Sequence, residues 1–191
     1  MDTALRAALG QHYAPLVAGT APGDETGADA DADSEDFHTT MEDFRTTMGA
    51  VPTAVSVVTT EHADGVWGMT VGSLTSLSLN PPLLLICLSH GSTTLGLLAR
   101  QGRFAISVLA ADQQAVADTF ARPRDRATAP DRFDILDGLP VIPAAAAWLT
   151  CRHRHTYRAG DHTIVVGAVR HVRHTVAEPL VRHASRYRRL A

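Results

Sequence analysis

The sequence predicts a mainly β protein, a closed barrel carrying short helical decorations. Three observations lead there. Apolar residues alternate in short runs of strand length, and most of these runs are joined by hairpin-like turns. Helical spacing occurs in only a few short stretches. The most apolar run, Leu83 to Leu88, has the size of a buried strand and falls far short of the roughly 20 residues a membrane span needs.

Taken in order, Leu5, Leu9 and Leu16 recur near helical spacing, so residues 1–18 are expected to hold one short helix. Residues 19–36 are small, acidic and nearly free of large apolar groups. Such a segment buries too little surface to offset its ordering entropy, so residues 1–36 are expected to form a flexible acidic segment and 37–191 the folded domain. Phe37, Met41, Phe44 and Met48 then line one helical face, ended by Gly49 and Pro52. Val55 to Thr60 and Val66 to Val71 read as strands of a hairpin turning at His62-Ala63-Asp64-Gly65. Leu74, Leu77 and Leu79 suggest a third strand, broken at Asn80-Pro81-Pro82, and Leu83 to Leu88 a fourth. A Ser/Thr-rich turn from Ser89 to Thr94 opens a helix closed by Gly102. Phe104, Ile106 and Val108 form a fifth strand. Asp112 is placed to cap a helix running to Phe120, and Arg122 to Pro130 is a polar loop. Trp148 to Tyr157 is strand-like, Gly160-Asp161 turns the chain, and His162 to Thr175 is a last long strand.

The chain has 191 residues, enough for one domain with its own core. Its two cysteines, Cys87 and Cys151, make neither a disulfide framework nor a Cys-rich zinc site, and a reducing cytoplasm is the expected compartment. All 17 basic residues are arginine. The net charge of −3 hides an asymmetry: nine acidic and no basic residues lie between Asp24 and Asp43, and 16 arginines face 10 carboxylates from Phe44 onward. That mildly basic core suits a phosphorylated cofactor. The arginines are scattered without interleaved aromatics, so no nucleic-acid partner is expected, and no membrane partner either.

Four blocks carry a family resemblance. Phe44-Arg45-Thr46-Thr47-Met48-Gly49-Ala50-Val51-Pro52-Thr53 with its following strand resembles the opening of the flavin reductase family of FMN-binding split barrels. Gly68-Met69-Thr70-Val71-Gly72-Ser73-Leu74-Thr75-Ser76-Leu77-Ser78-Leu79-Asn80-Pro81-Pro82 is similar to that family's most distinctive block. Gly102-Arg103-Phe104-Ala105 matches its Gly-x-Phe-Ala strand, and Gly160-Asp161-His162 its Gly-Asp-His strand start. Many relatives carry Ala-Asn-Ser or Ala-Ser-Ser where this chain has Val71-Gly72-Ser73. The resemblance implies a homodimeric, Greek-key-like split β-barrel. It also implies an NAD(P)H-dependent flavin reductase that passes reduced FMN or FAD to a partner flavin-dependent monooxygenase.

That chemistry asks little of side chains. Two flat rings must be stacked and their anionic ends held; no nucleophile is needed. The resemblance assigns Met69, Thr70, Val71, Gly72, Ser73, Ser76 and Leu77 to the flavin, with Gly68 and Gly72 allowing backbone to approach a ring. It turns Ser89, Ser92, Thr93 and Thr94 toward the ribityl chain or phosphate, since a helix N-terminus favours an anion. Arg103 is placed to pair with a phosphate, Phe104 beside it, and His162 by the nicotinamide. FMN and FAD present the same ring, so either fits, as do NADH and NADPH.

Each residue also has a plainer reading. Ser92 or Thr93 caps a helix, Arg103 is a solvated rim residue, His162 a strand-edge histidine, and Tyr157 and Tyr187 are packing residues or stack on a cofactor. Two other functions stay open. One is a flavin- or haem-binding barrel without turnover. The other is a cupin-like metal enzyme using His153 and His155, which strand periodicity puts on one face.

Overall fold

The computed structural model describes residues 39–190, apart from 64, 123–126 and 129–131. The expectations for residues 1–36, for Phe37, and for most of the Arg122–Pro130 loop lie outside the described residues. Helices α1 (Met41–Gly49), α2 (Thr93–Gln101) and α3 (Gln114–Ala121) accompany strands β1 (Thr53–Ala54), β2 (Ser56–His62), β3 (Gly65–Val71), β4 (Thr75–Leu79), β5 (Pro82–Ser89), β6 (Arg103–Val108), β7 (Ala127–Thr128), β8 (Asp134–Leu136), β9 (Leu139–Val141), β10 (Ala147–Ala159), β11 (His162–His174), β12 (Val181–His183) and β13 (Arg186–Arg188). The described residues are thus mainly β with three short helices, as expected. No helix among them is long and apolar enough to cross a membrane.

One antiparallel sheet dominates, in the order β4-β5-β11-β10-β6-β2-β3-β7. Among the described residues its ladder ends at β4 and β7, so hydrogen bonding between them does not close the expected barrel. Yet Val58 of β2 and Val71 of β3 share a core with Leu84, Ile86 and Leu88 of β5, although β11, β10, β6 and β2 lie between β3 and β5 in the ladder. The sheet therefore curls around this core, and α2 packs against β2, β3, β5 and β6. Phe104, Ile86, Leu88, Leu98 and Ile106 are fully buried there, each contributing about 1.5–3 kcal/mol of transfer free energy. A second core joins Val57, Val66, Leu109, Phe120, Phe133 and Leu180, beneath α3.

Local chemistry sets the element ends. Thr40 caps α1, accepting from the Asp43 amide at 3.1 Å, but no α1 residue is buried and Met41, Phe44 and Met48 are exposed. Gly102 ends α2 at φ 66°, a left-handed position that glycine adopts without strain. Asp112 does not cap α3. Gln113 occupies the cap position, and its amide instead accepts from the Ala110 N–H and donates to the Pro143 carbonyl.

Two small sheets, β8-β9 and β1-β12-β13, fall outside the strands expected. The first turns at Asp137-Gly138, both at positive φ. The second turns at Ala184-Ser185, also at positive φ, with no glycine to signal it. Strand β6 pairs with β10 only as far as Arg152, so among the described residues Arg154 to Ala159 run beside β11 alone.

Gly68 admits a ring, but it is a ring of the protein. A Cβ there would sit 2.5 Å from Phe120 Cδ1, in the α3 interface. Gly68→Ala is expected to destabilise the fold by about 1–3 kcal/mol through overpacking, read as a lower urea midpoint. An unchanged midpoint would show that α3 is free to shift.

Candidate functional site

Strand alternation splits the Gly68–Ser73 block between two faces. On one, Val66 joins the core under α3, Gly68 meets Phe120, and the Thr70 hydroxyl donates to the Ala117 carbonyl of α3 at 2.7 Å. On the other, Trp67, Met69 and Val71 turn toward α2 and the main core. The Trp67 indole Nε1 donates to Thr94 Oγ1 at 2.9 Å, and Thr94 Oγ1 donates on to Met69 Sδ at 3.3 Å. Ser92 Oγ donates to the same sulfur at 3.9 Å. Ser92 is the cap residue of α2 yet makes no side-chain cap bond. The first amides of α2 are therefore left without the side-chain acceptor that a serine in this position commonly supplies.

Three residues earlier, Ser89 stands opposite His162 in the β5–β11 pairing. Asp161 Oδ1 lies 2.6 Å from His162 Nδ1, and Ser89 Oγ lies 3.3 Å from His162 Nε2. An ionised carboxylate only accepts, so Nδ1 carries the proton. In the neutral ring Nε2 then accepts from the Ser89 hydroxyl. The His90 N–H donates to the Asp161 carbonyl at 3.0 Å and ties the turn to this strand start. The hydrogen bond from His162, and then its charge, hold the Asp161 carboxyl below its ordinary value of 3.8. The His162 side chain is 46% exposed, open to a ligand.

The structure thus gathers Met69, Ser89, Ser92, Thr94 and His162 about one turn, with Thr93 exposed at the helix start. Ser73 is tied to the same strand. Its hydroxyl accepts from the Cys87 N–H at 2.9 Å and donates to the Cys87 carbonyl at 3.2 Å, filling a gap in the β-ladder. Gly72 is exposed beside Thr53, and Ser76 and Leu77 are exposed on edge strand β4, where the pairing is irregular.

Other residues assigned to the cofactor have partners within the protein. The side chains of Thr94, Val71 and Phe104 are buried in protein contacts; Phe104 abuts Gly167, where a Cβ would come within 2.7 Å of its ring. The Thr70 hydroxyl is engaged by α3. Arg103 starts β6, at the far end of α2 from Ser92, about 13 Å along the helix. Its guanidinium donates to the Asp137 carbonyl in the β8–β9 turn. Tyr187 packs on the second core and donates to Asp118 at 2.9 Å. Burial, then that bond, raises its pKa.

A bulge between His153 and His155 interrupts the alternation on which the metal reading rested. Burial first, then the neighbouring His155, lowers the His153 pKa. Among the described residues no three His, Cys, Asp or Glu side chains converge as a metal site requires. Cys151 is inert, its thiol pushed up to about 12 by burial. Sequence reasoning missed Trp67, whose only signal is its place two residues before Met69 on one strand face. It also did not pair the Asp161 carboxylate with the His162 ring.

The flavin reductase-like domain matches residues 48–191. A probable flavin reductase of Rhizobium meliloti is 45% identical over 119 residues, 61% of this chain, and the chain spans only 38% of that protein's length. The NADH-dependent FMN reductase SmoA of Agrobacterium fabrum is 41% identical over 134 residues, covering 67% of this chain and 74% of its own. The NADH:FAD oxidoreductase SgcE6 of Streptomyces globisporus, solved with NAD and FAD fragments, superposes with a TM-score of 0.72 at 35% identity, covering 78% of this chain and 92% of that one. The styrene monooxygenase flavin reductase of Pseudomonas putida S12 superposes with a TM-score of 0.72 at 34% identity, over 78% and 97% of the two chains.

Since the carboxyl of Asp161 is depressed, its bond to His162 contributes stability above the ordinary carboxylate range, lost as pH falls through the lowered folded value. Carbon-13 titration should place Asp161 below 3.8 in the wild type and return it toward that value in His162→Ala. Identical titration curves would contradict the pairing.

Proposed function

Because the chain belongs to the flavin reductase-like domain family, we propose that it is an NAD(P)H-dependent flavin reductase supplying reduced FMN or FAD to a partner monooxygenase. The observation that carries this reading is the short spacing between Ser89, with His162 opposite, and Ser92 at the uncapped start of α2. One end offers backbone donors and the positive end of a helix dipole, which suit a flavin phosphate or ribityl chain. The other offers a flat imidazole whose tautomer Asp161 fixes. That donor set fits the group. When bound, the flavin accepts hydride from the reduced nicotinamide.

The protein's own residues then have limited tasks. Ser92 and Thr93 hold the polar end, and Met69 lends an apolar, polarizable wall. His162 orients the nicotinamide across from the flavin, while Ser89 and Asp161 keep its ring from turning. Ser73, through Cys87, keeps the end of β5 in place. Thr70, Val71, Thr94, Phe104 and Arg103 serve the scaffold. No covalent intermediate or acid–base pair is required.

The working unit proposed is a homodimeric split barrel formed by residues 37–191, with 1–36 an appendage. Leu84, Ile86 and Leu88 face the core, leaving Leu83, Leu85, Cys87 and Ile164 half-buried on the outer face of β5 and β11. A second copy covering that stripe would remove it from water. Both cysteines are free, which supports a cytoplasmic location.

Steady-state oxidation of NADH and NADPH with FMN, FAD and riboflavin tests the activity. Turnover is expected; retained yellow flavin without nicotinamide oxidation would favour a carrier. His162→Ala should raise the KM for NADH by about 2- to 12-fold, the loss of one neutral hydrogen bond, and leave the flavin KM nearly unchanged. A shift confined to flavin would reverse the assignment.

Leu85→Asp should convert the dimer to monomer in sedimentation velocity. A wild-type monomer at micromolar concentration would remove the dimer from the proposal.

A further inference from the structure

We propose that Trp67 is a positioning residue for the flavin's phosphate end, acting through Thr94 and Met69 to hold Ser92 away from the end of α2. This rests on the reading of the Ser92 turn as a flavin site. A serine at a helix cap ordinarily turns its hydroxyl onto an amide of the first turn. Ser92 has the extended backbone of a cap residue, at φ −61° and ψ 128°, but its hydroxyl reaches Met69 Sδ instead. That sulfur is fixed by Thr94 Oγ1, which is fully buried and in turn accepts from the Trp67 indole. The chain Trp67 to Thr94 to Met69 has one direction: each hydroxyl donates once and the thioether only accepts. Trp67 is itself held by the His62 ring, with centroids 5.7 Å apart.

Without the indole N–H, Thr94 has a buried oxygen lacking its donor, and its hydroxyl is free to rotate off the sulfur. Met69 then loses one of its two hydroxyl donors, and Ser92 is released to cap α2 in the ordinary way. One first-turn amide would be satisfied from within, and an anion would find one donor fewer. The helix itself would gain a cap that offsets part of the lost indole bond, so the defect should fall on the phosphorylated ligand more than on the fold.

Trp67→Phe keeps a ring against His62 and removes the donor. It is expected to raise the KM for FMN by about 2- to 12-fold, with kcat and the NADH KM nearly unchanged, and to leave the KM for riboflavin, which lacks the phosphate, as it was. In a Ser92→Gly background, with no hydroxyl to fold back, the same change should add nothing further. Equal rises for FMN and riboflavin would mean that Trp67 only packs, and would overturn the inference while leaving the flavin site standing. So would full additivity of the two substitutions. If neither substitution moves the FMN KM, the reading of the turn as a flavin site falls, and the inference with it.

Discussion

The pairing register of β5 with β11 is the constraint on which the site depends. It sets Ser89 opposite His162 on the outer face while Leu88 and Thr163 turn inward. Side chains alternate with a period of two, so a slip of one residue would send His162 to the core and an apolar side chain to the rim. What prevents the slip is the burial of Leu84, Ile86, Leu88 and Val165, which fixes the inward set. Core packing thus places the histidine, and Asp161 only sets its ring orientation.

Two glycines bring the surrounding layers close enough for that register to matter. Gly167 lets β11 pass over the Phe104 ring, and Gly68 lets Phe120 of α3 lie against β3. With α3 on one face of β3 and α2 on the other, the strand cannot rotate. Its residues Trp67 and Met69 are then held toward α2, where their polar atoms can organise the Ser92 turn. The hydroxyls of the Ser/Thr-rich segments divide accordingly. Those of Thr70, Ser73 and Thr94 serve packing and ladder repair, and those of Ser89 and Ser92 stand at the rim.

Much of the fold was legible because alternation and turn chemistry are local signals. The β2–β3 hairpin, β5, β6 and the long β10–β11 pair lie close to where periodicity puts them. His162 at a strand start after Gly160-Asp161 was legible for the same reason. The division of the Gly68–Ser73 block was not. A motif gives spacing, but which face carries the ligand depends on where α2 and α3 pack, and both come later in the chain. Arg103 is ambiguous by type, because an arginine next to a glycine suits a phosphate equally well from either end of α2; here its guanidinium reaches the Asp137 carbonyl. Asp112 is a good cap by type, but Gln113 lies one residue closer and is held by Ala110 and Pro143. The bulge between His153 and His155 has no residue signature, so two histidines that alternation would align are offset.

The end of β10 bears on assembly. From Arg154 to Ala159 its outer edge lacks a strand neighbour among the described residues, the kind of edge that recruits further strands and seeds aggregation. Arg154 and Arg158 stand there, exposed. A second copy laid along this edge would bring guanidinium against guanidinium with no carboxylate between Arg152 and Ala159 to relieve them. The edge therefore repels its own kind and is a poor surface for self-association.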